Sequence, residues 1–254
     1  MLSRIAIFLY SVACYAVGFA GLAYAIGFIG NLVVPKSIDS GTPADLNTAL
    51  TYNLPLLALF AVQHSLMARQ GFKRVWTKIV PQAAERATYV LASGAALLLL
   101  YWQWRPLPQT VWQVSDANAA AGLTGLYLAG WGIVLLSTFL INHFELMGLQ
   151  QGFDNLRGKK PEPPRFKTPF LYKLVRHPIY TGLLIVFWST PHMTQGHLLF
   201  ALATTGYIFI GIFLEERDLV SFFGDTYRNY RRAVPMVIPL PRLSRRSGKA
   251  RDAA

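Results

Sequence analysis

From Ile5 to Val34 the chain runs for thirty residues without a Lys, Arg, Asp or Glu, until Pro35 and Lys36 end the run. About 20 apolar residues in a helix cross a hydrocarbon core, so this stretch alone is enough to take the chain into a bilayer. A secretory signal peptide has an apolar core of only about 7–15 residues, half of what stands here. Leu46–Ala68, Ala87–Trp104 and Gly122–Ile141 are likewise free of those four residue types. Only 14% of the residues are charged, against about 25% in soluble domains, too few to cover a water-facing surface. The expected class is an all-α integral membrane protein with four spanning helices. Two shorter apolar stretches, Ile179–Thr190 and Leu198–Leu214, follow. The first is too short to cross by itself, which pairs the two as a C-terminal membrane helical hairpin and leaves the number of full spans at five or six.

Orientation follows from Lys and Arg. Arg69–Arg86, Met147–Arg176 and Glu215–Ala254 carry 5, 7 and 9 of them, whereas segments 35–45 and 105–121 carry one each, Lys36 and Arg105. Basic segments stay on the cytoplasmic side, which puts the N-terminus and both ends of the hairpin there. The net charge of +12 then reflects topology and attraction to anionic lipid, with no nucleic-acid motif beside it. Residues 1–239 form a single domain, because no soluble block is long enough to fold alone. The basic stretch 240–254 lacks aromatics and is expected to be a disordered tail. Gln150–Lys173 carries Gly152, Gly158, Pro161, Pro163, Pro164 and Pro169, breakers that exclude a long helix and point to an irregular lid or linker. The glycines of the first and fourth runs suit close helix packing. Cys14, the single cysteine, reads as a small packing residue.

No GxGxxG, P-loop, HExxH or paired CxxC occurs, and His64, His143, His177, His192 and His197 show no common metal-ligand spacing, so no metal is expected. Polar residues gather instead at the cytoplasmic helix ends: Gln63-His64-Ser65, Asn142-His143 with Glu145, Arg176–Gly182, and Glu215–Asp218. Pro178 fits the first turn of a helix, where its missing N–H costs nothing. His177 then lies at the cap, beside N–H groups that attract anions. Gly182 leaves room for a ligand or another backbone, and Arg176 offers a fork suited to a carboxylate. A capped helix start with an anchoring aromatic explains the same residues without a ligand. On a helical wheel Leu219, Phe222, Phe223, Thr226, Tyr227 and Tyr230 form a stripe about 140° wide, and Glu215 and Glu216 fall inside it. Carboxylates on the buried side of an amphipathic helix need a cationic partner or ligand: an arginine, a bound cation or a cationic cofactor.

Arg176-His177-Pro178-Ile179-Tyr180-Thr181-Gly182, Glu215-Glu216, Phe223–Tyr230, Val234-Pro235 and Ile238-Pro239 resemble, in order and spacing, the C-terminal signature of the isoprenylcysteine carboxyl methyltransferase superfamily. Gln63–Arg69, Glu85-Arg86 and Asn142–Leu149 resemble a bacterial branch that includes the NnrU-like proteins and the methanethiol S-methyltransferases, the Asn142–Leu149 segment pointing to the latter. The resemblance implies a multi-pass protein of the bacterial inner membrane that uses S-adenosyl-L-methionine, bound over the hairpin by a part spanning about 173–239. It implies cofactor-binding roles for Arg176, His177, Pro178, Tyr180, Gly182, Glu215, Glu216 and Tyr230, and a substrate wall that includes Asn142 and Trp131.

The implied reaction is displacement of the donor's methyl group by a thiol sulfur, most simply methanethiol giving dimethyl sulfide. Glu216, with Tyr180 and Tyr230 as aromatic faces, would hold the sulfonium by Coulomb and cation–π attraction. A thiol like that of cysteine has a pKa of about 8.5, so a base helps; His143 and His64 are the candidates, with Tyr180 as a positioning hydroxyl. The expected partners are a small thiol and membrane lipid. Two alternatives stay open: a membrane methyltransferase acting on a lipid or prenyl carboxylate, and a non-enzymatic NnrU-like membrane protein.

Overall fold

The computed structural model describes residues 1–159 and 166–239; the tail expected over 240–254, and Pro161, Pro163 and Pro164 of the linker, lie outside them. Helix α1 (Leu2–Gly30) stops short of the end of its apolar run, because Asn31 turns left-handed (φ 52°) and returns its N–H to Gly27, a cap that asparagine tolerates. Helix α2 (Leu46–Ala68) starts where the Asp45 carboxylate accepts the Thr48 N–H at 3.0 Å, satisfying one of the open donors of the first turn. Then come α3 (Gln70–Trp76), α4 (Gln82–Gln103), β1 (Thr110–Gln113), α5 (Ala117–Ile141), α6 (His143–Leu146), α7 (Leu149–Leu156), α8 (Leu171–Leu174), α9 (Pro178–Trp188), β2 (His192–Thr194), α10 (Gln195–Phe223) and α11 (Asp225–Ala233).

Among the described residues, α1, α4, α5 and α10 are the four helices long and apolar enough to cross a membrane. The expected stretch Leu46–Ala68 is helical over the same 23 residues, with Asn47, Thr48, Thr51, Asn53, Gln63 and His64 among its apolar side chains. One expectation is revised. The second arm of the hairpin does not end at Leu214: α10 runs for 29 residues through Glu215 to Phe223, about 44 Å at 1.5 Å per residue. The first arm, α9, has 11 residues. No separate amphipathic helix begins at Glu215. The break falls at Gly224, whose φ of 57° is open to glycine and strained for most other residues. Thr226, Tyr227 and Tyr230 therefore ride on α11, not on the helix that carries the glutamates. The linker is also less irregular than its breakers imply, since α7 takes up Gln150 to Leu156 and packs on α1 and α4.

Helix α1 packs on α4, and α5 on α9. At the second contact a Cβ on Gly182 would lie 2.7 Å from the Gly130 carbonyl oxygen, so the missing side chains let the two backbones touch. Phe28, Tyr101, Trp104 and Phe200 fill the centre, with the Phe28 and Tyr101 rings 4.6 Å apart. Leu128, Leu135, Ile210 and Phe213 point outward, an apolar exterior that suits hydrocarbon. One end of the bundle is tied by an antiparallel ribbon, in which Thr110 faces Thr194 and Gln113 faces His192. The other end gathers the close of α2, α5 and α10 with the start of α4 and α9. The polar residues singled out in the sequence lie there.

Candidate active site

Pro178 opens α9 at its first turn, and the segment after α11 crosses that opening. The Arg176 N–H donates to Pro235 O at 2.8 Å, the His177 N–H to Met236 O at 3.1 Å, and the Thr181 hydroxyl to Val237 O at 2.7 Å. The N–H groups of Arg176 and His177, which precede the first turn of α9, are thus used by the chain itself. The Arg176 fork is engaged too: Nε donates to Glu216 Oε1 at 2.7 Å, and Nη1 to the carbonyls of Val234 (2.6 Å) and Arg231 (3.1 Å). His177 Nε2 donates to the same Glu216 oxygen at 3.1 Å, and the Arg231 guanidinium stands 3.7 Å from the other. Of the three partners the sequence left open for the buried carboxylate, an arginine is the one Glu216 has.

Its neighbour differs. The Glu215 side chain is 44% exposed and accepts the Tyr180 hydroxyl at 3.1 Å, with His177 Nδ1 3.8 Å away. No arginine or lysine is within ion-pair distance of Glu215 among the described residues. Tyr230, expected beside it, instead donates to the Tyr172 carbonyl at 2.5 Å and packs on Phe166; burial pushes its hydroxyl up to about 12, so it remains a donor. Tyr227 was not among the sequence candidates, although it lay on their stripe. It is 2% exposed, and its hydroxyl has no hydrogen-bond partner among the described residues, with Glu216, Glu215 and Arg176 as its charged neighbours. A buried hydroxyl without a partner is uncommon.

A polar layer from α2, α4 and α10 adjoins Tyr180. The Ser65 and Tyr207 hydroxyls lie 3.0 Å apart, and Tyr89 reaches His64. Arg69 pairs with Asp218 at 2.9 Å, joining the end of α2 to α10. Tyr180 hydrogen-bonds Glu215 and lies in the same polar neighbourhood as Tyr207 and Tyr89. His64 therefore belongs to the same neighbourhood as Glu215. His143 sits elsewhere: it is buried, stacked on Phe139, and held by Thr138 at Nδ1 (2.9 Å) and Tyr15 at Nε2 (3.1 Å). Thr138 spends its own proton on Leu135 O, so Nδ1 donates and Nε2 accepts; burial lowers the pKa of the ring. No hydrogen bond or ring contact of the described residues joins His143 to the Glu215 cluster. Asn142 caps α6 through Glu145 and binds Gln150 at 2.6 Å. Trp131 lies mid-helix in α5 against Tyr127 and the apolar centre, and Gly182 is spent on Gly130. A cavity of about 320 Å³ opens beyond Glu216, lined by Phe209, Phe213, Arg217, Arg231 and Met236. Among the described residues no cluster of three metal-ligating side chains occurs.

The architecture is that of a multi-pass helical membrane protein with a carboxylate- and tyrosine-rich site at one end of its bundle. The NnrU protein family matches residues 54–217, and the chain belongs to that family. It is 58% identical to methanethiol S-methyltransferase 1 of Bradyrhizobium diazoefficiens over 232 residues, 91% of this chain and 81% of the relative. To the methanethiol S-methyltransferase of Mycobacterium tuberculosis it is 51% identical, over 92% of this chain and 96% of the relative. Nurim of Mus musculus is more distant, 32% identical over 67% of this chain and 68% of its own. No solved structure matches the chain.

Proposed function

We propose that this protein methylates a small thiol, methanethiol giving dimethyl sulfide, with S-adenosyl-L-methionine as methyl donor. Its site and N-terminus face the cytoplasm from a bacterial inner membrane, as the excess of Lys and Arg at that end supports. Similarity to enzymes named for this reaction, over more than nine-tenths of the chain, supports the substrate.

The observation that carries the donor is the contrast between Glu215 and Glu216. A sulfonium needs a carboxylate whose charge is not already compensated. Glu216 is compensated by the Arg176 guanidinium, whereas Glu215 has no arginine or lysine within ion-pair distance among the described residues. The tyrosines around Glu215 add ring faces that attract a cation, and the unpartnered Tyr227 hydroxyl offers a hydrogen bond to the donor's amino-acid end. The donor set fits the group. When bound, that group supplies an electrophilic methyl whose transfer turns a positive sulfonium into a neutral thioether.

The chain's own contribution begins with Glu215, which attracts the donor and orients it toward the Tyr180 side. Arg176, His177 and Glu216 hold the start of α9, the end of α10 and the C-terminal segment in one piece. Pro178, Gly182 and Tyr230 fix the helices that carry them. A site at membrane depth also suits a small apolar thiol, which gains only about 0.8 kcal/mol per buried CH₂ and is selected by size more than by affinity. The test is the purified full chain in lipid discs, given methanethiol and donor carrying an isotope-labelled methyl group. Labelled dimethyl sulfide in the headspace is expected. Absence of label with donor bound would overturn the substrate assignment, and absence of donor binding would overturn the enzyme.

A further inference from the structure

The cavity beyond Glu216 has no place in the methyl-transfer reading, which uses the Glu215 face of α10. Phe209 and Phe213 of α10 line it and are exposed, Phe213 by 68%. Met236, from the segment after α11, adds a third apolar side chain. Helix α10 is long and apolar enough to cross a membrane, so side chains that point outward along it meet hydrocarbon. Arg217 lies one turn beyond Phe213, about 6 Å along the axis at 1.5 Å per residue. Arg231 of α11 lines the same cavity. Within one turn of helix, then, the lining passes from hydrocarbon-facing rings to arginines.

The carboxylates beside Arg217 in sequence are committed elsewhere. Glu216 takes the Arg176 guanidinium at 2.7 Å, and Asp218 takes Arg69 at 2.9 Å. Glu215 stands two residues back, about 200° round the helix at 100° per residue, and accepts from Tyr180. Arg217 is exposed, with no carboxylate within ion-pair distance among the described residues. Arg231 lies 3.7 Å from Glu216 Oε2, long for a charge-assisted bond. The charge of the Glu216 carboxylate that lines the cavity is thus answered by Arg176, and the mouth keeps the positive charge of Arg217. Beyond Pro239 the sequence holds Arg242, Arg245, Arg246, Lys249 and Arg251 against Asp252 alone, the wrong sign to fill such a mouth.

We propose that this cleft binds one anionic phospholipid, with its phosphate at Arg217 and Arg231 and an acyl chain along Phe209, Phe213 and Met236. A soluble phosphate would use the arginines and leave the apolar wall to bulk hydrocarbon. A zwitterionic lipid would bring a second cation against them. A headgroup of net negative charge on an acyl chain matches both parts of the cleft. Its far wall also belongs to the clasp: Met236 O accepts the His177 N–H at 3.1 Å, and Arg231 O accepts Arg176 Nη1 at 3.1 Å. A lipid seated there holds α11 and the segment after it against α10. Because it binds the folded chain, it stabilises that end of the bundle. The site is independent of which thiol is methylated, or whether any is.

The test takes the full chain, delipidated in a neutral detergent, and adds phosphatidylglycerol, phosphatidylcholine with the same acyl chains, or inorganic phosphate. Native mass spectrometry reads binding, and the unfolding midpoint reads stabilisation. The parent is expected to retain one phosphatidylglycerol and to gain in midpoint, with phosphatidylcholine and inorganic phosphate without effect. Arg217→Gln is expected to weaken phosphatidylglycerol about tenfold or more, the size of one hydrogen bond to a charged group. Arg74→Gln, at an exposed arginine of α3 outside the cleft, is expected to bind as the parent does. Phe213→Ala tests the apolar wall and is also expected to weaken the lipid. Equal loss in the two arginine variants would reduce the effect to diffuse charge and overturn the site. So would phosphatidylcholine or inorganic phosphate acting as phosphatidylglycerol does, or unchanged binding in Phe213→Ala. Displacement of the lipid by S-adenosylhomocysteine would assign the cleft to the methyl donor and overturn the proposal.

Discussion

Glu215 and Glu216 are adjacent, carry the same side chain and sit in different physical situations. Glu216 and Arg176 are each less than 10% exposed at their side chains, so each charge depends on the other. Removing one partner of such a pair costs about 3–5 kcal/mol, because the survivor is left buried and uncompensated. Glu216→Ala is therefore expected to lower the unfolding midpoint of the purified protein steeply, and an unchanged midpoint would contradict the clasp. Sequence periodicity put both glutamates on the inward arc, and it could not tell them apart. The difference depends on the approach of Arg176, forty positions earlier, and on carbonyls from the chain beyond α11. The same holds for Tyr89 and Ser93. Neither belongs to a motif, and only the packing of α4 on α2 brings them to His64.

At the level of elements, the apolar runs made α2, α4 and α5 legible almost to the residue at one end or both. The errors came where a helix end is set by something other than apolarity. Asn31 stops α1 by a left-handed turn inside an uncharged run, and α10 continues past its first glutamates because Glu216 has a buried partner. The α5–α9 contact gives a prediction of its own. A side chain at Gly182 would meet the Gly130 carbonyl oxygen at 2.7 Å and Val134 N at 3.0 Å, backbone atoms that do not yield as a side-chain tip would. Overpacking of this kind costs about 1–3 kcal/mol. Gly182→Val is expected to lower the unfolding midpoint, while Gly132→Ala, with nothing within 4 Å, leaves it in place. Equal behaviour of the two would show that α9 does not rest on α5 as described.

At the scale of the whole molecule, the membrane class and the end of the bundle that holds the polar residues were both present in the distribution of charge. The ribbon of β1 and β2 was not, since its strands are short and about eighty positions apart, and non-local pairing leaves little local trace. What the assembled fold adds is a division of labour across one bundle end: a neutralised clasp around Glu216 and a half-exposed carboxylate at Glu215 that meets the Tyr180 hydroxyl. The most direct test of that division is calorimetric binding of S-adenosylmethionine and of its neutral thioether product, S-adenosylhomocysteine, to the parent protein and to Glu215→Gln. Recognition of the sulfonium by Glu215 predicts that the ratio of the two affinities falls about tenfold or more in the variant, equivalent to about 1.4 kcal/mol, nearly all of it from weaker binding of the charged donor. A ratio that stays the same would contradict the assignment of Glu215 as the residue that meets the methyl donor's charge.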